Sequence, residues 1–411
     1  MKRVVITGMG VVSPIGNDVP SFQKALEEGV IGIGPITKVD EPESPIKLAA
    51  EVKNYNPEAA IPKKDIKRLD LFSQYALSAA DEAVKSSGLD LEAVDSHRMG
   101  VIISSGIGGM ETFENEVIKF HEKGGFKIAP LFIPMMIGNM AAGNVALEYG
   151  CKGICTNVVT ACAASTHAIG EAFRNIKHGY CDVILAGGTE AAVTKAAVAG
   201  FSALKALSRS DDPLRGSIPF DAERDGFVIG EGAGILVLES LDHAQERGAT
   251  ILGEIVGYGA NCDAYHITAP SPGGEGASAC MSLALAEAGI DPNEVQYINA
   301  HGTSTQLNDA AESAAIERTF GEHSKDLLVS SSKSQFGHLL GAAGAVESIA
   351  LLTGMNKGFA PATMGYKVQD EVCNLNYVPN AIAKANIKYA MSNNFGFGGH
   401  NASLCFKKWE E

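Results

Sequence analysis

Four stretches of the chain carry residue types that can do chemistry. The first reads "NVVTACAASTHAIGEAFRNIK", where the thiol of Cys162 stands at the change from an apolar run to an amphipathic one. Ile169, Ala172, Phe173 and Ile176 recur at helical spacing, and Gly179 closes the segment. This puts Cys162 at or just before a helix N-terminus. Unpaired N–H groups and the positive end of the dipole there favour a thiolate and lower its pKa. Such a sulfur is a nucleophile near neutral pH. Ala161, Ala163, Ala164 and Ser165 leave room for a substrate. The competing reading is a small buried cysteine packed as a hydrophobe.

The second stretch, "YINAHGTSTQLNDAAESAAIERTF", puts His301 at the C-terminal end of a strand, where ligands of α/β sheets gather. Asp309 and Glu312 follow as an acidic pair expected to cap the next helix. In the third, "VSSSKSQFGHLLGAAGAVESIALL", His338 precedes a helix rich in small residues, with Lys333 five positions upstream. A lone histidine in either place is more often structural; two of them, each in a glycine-flanked turn from strand to helix, point to function. The fourth, "MSNNFGFGGHNASLCF", has glycines around Phe395 and Phe397 that free backbone N–H groups to form an oxyanion hole. His400 beside that turn reads as structural.

The elements that must hold these residues follow from the pattern. β-branched runs such as "RVVITGMGVV", "MGVIISSG", "DVILAGGTEA" and "GAGILVLESL" alternate with Ala-rich amphipathic runs. Gly88, Gly179, Gly289 and Gly321 stand where helices should stop. The alternation predicts an α/β fold with parallel or mixed sheets. A loose halving falls after "LESLDHAQERGA", dividing the chain into residues 1–250 and 251–411.

Composition excludes several classes. The net charge of −15 disfavours nucleic acid and anionic membranes as general partners. One basic cluster, Lys63, Lys64, Lys67 and Arg68, is either a solvated helix face or a landing point for an acidic partner. Eight scattered cysteines without a CxxC pair predict reduced thiols in the cytoplasm, with neither disulfide framework nor zinc site. The opening residues do not read as a signal peptide, and no run of apolar residues is long enough to span a membrane. "TGMGVVSPIG" has Ser13 where a dinucleotide fingerprint needs its third glycine.

"TACAASTHAIG", "AHGTST", "KSQFGHLLGAAGA" and "NNFGFGGHN", in this order, resemble the β-ketoacyl synthases of the thiolase superfamily. The likeness runs over nearly the whole chain, and "CDAYHITAPSPGGEG" resembles their elongating type II branch. The resemblance implies a five-layered α/β/α/β/α fold from two similar halves, residues 1–250 carrying the cysteine and 251–411 the histidines. It implies decarboxylative condensation of acyl-[acyl-carrier protein] with malonyl-[acyl-carrier protein], the elongation step of type II fatty acid biosynthesis. Cys162 would take the acyl chain as a thioester, with His301 and His338 assisting decarboxylation. Lys333 would orient His338 with Glu347. The N–H groups of Cys162 and Phe397 would hold the thioester oxygen, and Phe397 would gate an acyl pocket walled by Ile107 and Phe201. Thr303, Thr305 and Thr268 would meet the phosphopantetheine arm, and Lys63, Lys64, Lys67, Arg68 and Lys205 the acidic carrier protein. No metal or resident cofactor is implied, since phosphopantetheine arrives on the carrier, and the enzyme would be a cytoplasmic homodimer without membrane insertion.

Rival readings are a polyketide-type ketosynthase with the same triad and a silent partner subunit that only sets chain length. The second normally lacks the cysteine. A cysteine hydrolase would need water to reach the acyl-thioester. Two departures stand out. Gln335-Phe336 replaces a pair that usually ends in a small hydroxyl residue before Gly-His, so Phe336 is expected to crowd the pocket or repack beneath it. Gln306 stands where proline is usual.

Overall fold

The first strand, β1 (Val4–Val12), is buried at all nine positions. It has strand neighbours on both edges and helices against it, so its sequence needs no polar alternation. A computed structural model describes residues 1–124 and 127–410 of the chain. Nine further strands join β1: β2 (Met99–Ser104), β3 (Cys155–Thr156), β4 (Val183–Glu190), β5 (Gly232–Ser240), β6 (Gly253–Cys262), β7 (Tyr297–Asn299), β8 (Leu328–Ser330), β9 (Tyr389–Gly396) and β10 (His400–Lys407). Their order is β8-β7-β9-β10-β6-β1-β5-β4-β2-β3.

That order contains one pattern twice. Counting strands from the start of each half, both run third, second, fourth, fifth, first. The directions repeat as well. In each half the first strand is antiparallel to the fifth and the fifth to the fourth. The fourth is parallel to the second, and the second to the third. The two first strands pair antiparallel, Val4 opposite Ile255, and join the halves.

The helices make the other layers. α1 (Leu71–Ser87) packs outside β1 and β5; it starts on the Asp70 side chain and stops at Gly88 in the left-handed region (φ 62°). α2 (Met110–Lys123) buries none of its residues, and α3 (Met140–Tyr149) lies against α1. α4 (Ala164–Lys177) and α7 (Ala343–Lys357) run between the two halves, touching strands of both and each other. α5 (Glu275–Ala288) and α6 (Gln306–Phe320) cover the far side. The layering is therefore α/β/α/β/α.

α7 is enclosed on every side from Ala343 to Met355, so it is built of small and apolar residues with no polar stripe, its one charged residue there being the buried Glu347. Each fully buried Leu or Ile on it contributes roughly 1.5–3 kcal/mol. Gly344 lets α7 approach α4 closely, because a Cβ there would collide with Thr166 and Asn394. The expected capping pair does not form: α6 begins after Thr305 without a side-chain cap. Asp309 instead accepts the Phe220 N–H at 2.8 Å, and Glu312 is turned toward the end of β7. Tertiary demand for buried N–H acceptors overrides the local pattern here.

Candidate active site

Three turns end at one point. Cys162 lies on the short 3-10 turn Ala161–Ala163 that runs straight into α4. Ala161, just before it, sits at φ 51°, a conformation costing an alanine roughly 1–2 kcal/mol. The neighbouring hairpin crowds that turn: a Cβ on Gly396 would lie 2.5 Å from the Thr160 carbonyl oxygen. Only glycine allows this approach.

His301 follows β7. Its N–H and that of Gly302 both donate to Glu312, each at 2.8 Å, so a buried carboxylate holds the turn. His338 is held by donation of its N–H to Val228 O at 2.8 Å. Its ring stands edge-on to Phe227 and to His301, with centroids 5.0 and 5.4 Å away. The sulfur of Cys162 and ring nitrogens of both histidines lie within 4.8 Å of one another.

Hydrogen bonds assign the ring protons. Leu340 N–H donates to His338 Nδ1 at 3.2 Å. His301 Nδ1 faces two donors, Lys333 Nζ and Asn394 Nδ2, each at 3.4 Å. With Nδ1 accepting, each neutral ring carries its hydrogen on Nε2. Both rings are neutral: burial first, and the Lys333 charge second, hold their pKa values well below the ordinary histidine range.

Two expectations need correction. The Cys162 thiol is not a ready anion. Burial pushes it up to about 12, Glu190 and Glu347 add to the rise, and Lys333 opposes it. Loss of solvent outweighs the helix terminus, so the resting group is a thiol. Nor does Lys333 orient His338. Its ammonium donates to the His301 carbonyl oxygen at 2.6 Å and pairs with Glu347. Asn394 joins the same group, donating to Glu347 at 2.7 Å and accepting from Thr166 on α4.

A cavity of about 330 Å³ opens onto these residues. Cys162, His301, His338, Phe397, Thr268, Thr303, Thr305, Phe201 and Lys205 all line it. The Thr303 and Thr305 hydroxyls are hydrogen-bonded at 2.8 Å. The N–H groups of Cys162 and Phe397 find no protein acceptor among the described residues. Lys333 and Glu347 lie behind the cavity, buried. Ile107 does not line it and is 41% exposed. The basic cluster lies outside it too; Lys63 pairs with Glu58 and Arg68 with Asp65, while Lys64 and Lys67 are exposed. Phe336 is fully buried against Phe22, centroids 5.8 Å apart, and so repacks beneath the site rather than crowding it.

Sequence reasoning missed Asn394, Glu190 and the true partners of Glu312. Asn394 stood in plain view in "SNNFGF", but polar residues on a strand carry no signal of what they face. Cys162, His301 and His338 also have the spacing of a metal site. The Lys333 ammonium behind His301 opposes a cation there, so the set suits hydrogen-bond donation to a developing anion better.

Comparison with known proteins agrees with this geometry. Residues 1–244 match the family model "Beta-ketoacyl synthase, N-terminal domain" and 252–367 match "Beta-ketoacyl synthase, C-terminal domain". The chain is 52% identical over 409 residues to 3-oxoacyl-[acyl-carrier-protein] synthase 2 of Staphylococcus aureus (strain COL), covering 100% of this chain and 99% of the relative. A β-ketoacyl synthase from Burkholderia phymatum superposes with a TM-score of 0.93 at 38% identity, covering both chains completely. A type II PKS acyl-carrier protein in complex with its ketosynthase, bound to the hexaketide, gives 0.89 at 33%, again over 100% of each chain.

Proposed function

The chain belongs to the β-ketoacyl synthase family, and from that premise we propose that it elongates acyl chains in type II fatty acid synthesis. It is an acyltransferase that condenses acyl-[acyl-carrier protein] with malonyl-[acyl-carrier protein], giving 3-oxoacyl-[acyl-carrier protein], CO2 and free carrier. The observation that carries the reading is the meeting of one thiol and two neutral imidazoles at the inner end of a cavity lined by Thr303 and Thr305.

The steps balance. The Cys162 sulfur attacks the acyl thioester, the bond to the carrier's sulfur breaks, and the thiol proton leaves with the departing sulfur. This exchange consumes no net proton, so a thiol with a high pKa is a workable starting point. The malonyl carboxylate then leaves as CO2, and its bonding pair becomes an enolate on the thioester oxygen. The Nε2–H groups of His301 and His338 donate to that oxygen as its charge grows, which is selective stabilisation of the transition state. The enolate carbon attacks the Cys162 thioester while the N–H groups of Cys162 and Phe397 receive the second oxyanion. The C–S bond breaks, and the sulfur takes a proton from solvent.

Lys333 and Glu347 position His301. Thr268, Thr303 and Thr305 hydrogen-bond the phosphopantetheine arm, Phe397 gates the cavity, and Phe201 walls it. Ile107 approaches the acyl chain only once the loop carrying it is covered. A second copy of the chain supplies that cover: Phe113, Val117, Ile118 and Phe120 on α2 are each more than 40% exposed, and the edge strand β3 lies on the first half of the sheet. Lys205 at the mouth and the cluster Lys63, Lys64, Lys67 and Arg68 receive the acidic carrier. Phosphopantetheine comes as part of the substrate, so the steps draw on no resident cofactor. The eight free cysteines suit a reducing cytoplasm, and among the described residues no helix is long and apolar enough to cross a membrane.

Incubation with acyl-carrier substrates of several lengths, followed by intact-protein mass spectrometry and peptide mapping, tests the reading. An acyl adduct on Cys162 that malonyl-carrier then discharges as 3-oxoacyl product is expected. A folded protein that forms no adduct with any length refutes it. Preference for fatty acyl over polyketide acceptors in the same assay separates the two pathways.

A further inference from the structure

We propose that Glu190 is a positioning residue for condensation: its single carboxylate fixes, at one buried point, the loop that carries Ile107 and the turn that carries His338. The inference rests on the ketosynthase reading and extends it to a group outside the cavity.

Glu190 ends β4 and is fully buried. Its Oε1 accepts from the Ser105 hydroxyl at 2.7 Å and from Ile107 N–H at 3.2 Å. Its Oε2 accepts from Gly106 N–H at 2.8 Å and Gly341 N–H at 2.9 Å. All four donors are neutral. Burying a carboxylate among neutral donors is costly unless every lone pair is used, and an apolar residue would fill the same space without that cost. The charge is therefore explained by what it holds.

On one side it holds the end of β2. Ser105 in turn accepts the Gly108 N–H at 2.9 Å, so Ser105 to Gly108 form one unit leading into α2. On the other side it holds Gly341, next to Leu340, whose N–H donates to His338 Nδ1. Leu340 sits at φ 49°, a conformation that persists only where its surroundings enforce it. The two segments close over the carboxylate so tightly that a Cβ on Gly106 or Gly341 would fall 2.8 or 2.7 Å from Oε2.

The chemistry separates two variants. In Glu190→Gln the amide oxygen can keep Gly106 and Gly341, while the NH2 turns to Ser105, whose hydroxyl reverses to accept. Ile107 N–H alone then faces a donor. Glu190→Ala releases both segments.

The experiment uses the full-length chain and two readouts. The first is the rate of Cys162 acylation by short- and long-chain acyl-carrier substrates, with malonyl decarboxylation alongside. The second is the pH profile of Cys162 alkylation by iodoacetamide, which needs no acyl chemistry. Around the thiol stand the carboxyl groups of Glu190 and Glu347, which raise its pKa, the amine of Lys333, which lowers it, and the neutral rings of His301 and His338. Burial also raises the Glu190 pKa above the ordinary carboxylate value, against its hydrogen bonds from Ser105, Gly341, Gly106 and Ile107. Glu190→Gln is expected to change the long-to-short acylation ratio by about fivefold or more and to move the alkylation midpoint to lower pH. Glu190→Ala is expected to lower decarboxylation by about tenfold or more as well, the scale of a misplaced catalytic group. Ser105→Ala, which removes one donor and no charge, is expected to shift the length ratio in the same direction as Glu190→Gln, and it carries the test if neither Glu190 variant folds. Folded variants with a wild-type length ratio and alkylation midpoint overturn the proposal. Failure of the wild type to take any acyl group sinks the ketosynthase reading instead, and the alkylation midpoint still decides whether Glu190 acts on the site.

Discussion

The ammonium of Lys333 donates to the carbonyl oxygen of His301 at 2.6 Å, with Glu347 as its ion-pair partner. One buried cation thus fixes the backbone and the Nδ1 side of one histidine and reaches the other only through its charge. Lys333→Ala leaves Glu347 buried without its counter-ion, a change that typically costs about 3–5 kcal/mol. The double variant Lys333→Met/Glu347→Gln removes both charges and should recover most of that stability in thermal unfolding. It should not recover decarboxylation, because His301 has lost the group that holds it. Full recovery of both would show that the pair serves folding alone.

Cys162→Gln should abolish condensation and leave malonyl decarboxylation measurable. Both imidazole donors remain, and the glutamine amide occupies the place of the acyl-thioester. Product analysis for released CO2 and acetyl-carrier checks this. A folded variant with no decarboxylation would mean that the sulfur itself takes part in that step.

Much of the fold was legible because it rests on local signals. The buried runs at Val4–Val12 and Val183–Glu190 could hardly be anything but central strands. Gly88 and Gly289 ended helices in the left-handed conformation that the sequence implied. The turns of the two histidines were legible for the same reason, since each lies between a strand and a helix with glycine beside it, and Cys162 was legible as the start of an amphipathic run. Long-range assignments were not. Lys333 is five residues from His338 and thirty-two from His301, and sequence distance favoured the wrong partner. Glu312 looked like part of a cap because it follows Asp309 after a strand-to-helix turn, yet it lies nearly two turns into α6 and the N–H groups it serves belong to the preceding strand end. The thiol's pKa was misjudged because helix position is visible in a sequence and desolvation is not. α2 went unread although Met110, Phe113, Val117 and Phe120 recur at helical spacing; that apolar face is not buried within the chain.

Acid should weaken the folded state through the two histidines. Both hold pKa values well below the ordinary value, so below about pH 6.5 the unfolded chain binds protons that the native site refuses. Their contribution is fully present above that pH and is lost as pH falls. Each costs roughly 1.4 kcal/mol per pH unit until its native pKa is reached. Unfolding free energy measured from pH 7.5 down to about 5 should therefore fall more steeply in wild type than in His301→Asn/His338→Asn. Equal slopes in the two proteins would mean that neither ring is held neutral by the fold.

Phe336 offers a contrast between site and support. Its ring lies against Phe22 in the same core cluster as Leu339 and Leu26, and none of it reaches the cavity lining. Gln335 beside it donates to the carbonyl oxygens of Ala25 and Val30, tying this segment to the helix and loop below. Phe336→Thr removes most of a buried ring and leaves a hydroxyl in an apolar setting. The loss should be about 3–5 kcal/mol, in the range for large-to-small changes at buried aromatics. The acyl-length profile of the surviving folded enzyme should match wild type, because the void left by the ring lies in the core against Phe22 and not among the residues lining the substrate cavity. Denaturant titration gives the first quantity and acylation by mass spectrometry the second. A shifted length profile with little loss of stability would place the ring in the acyl path and reverse this assignment.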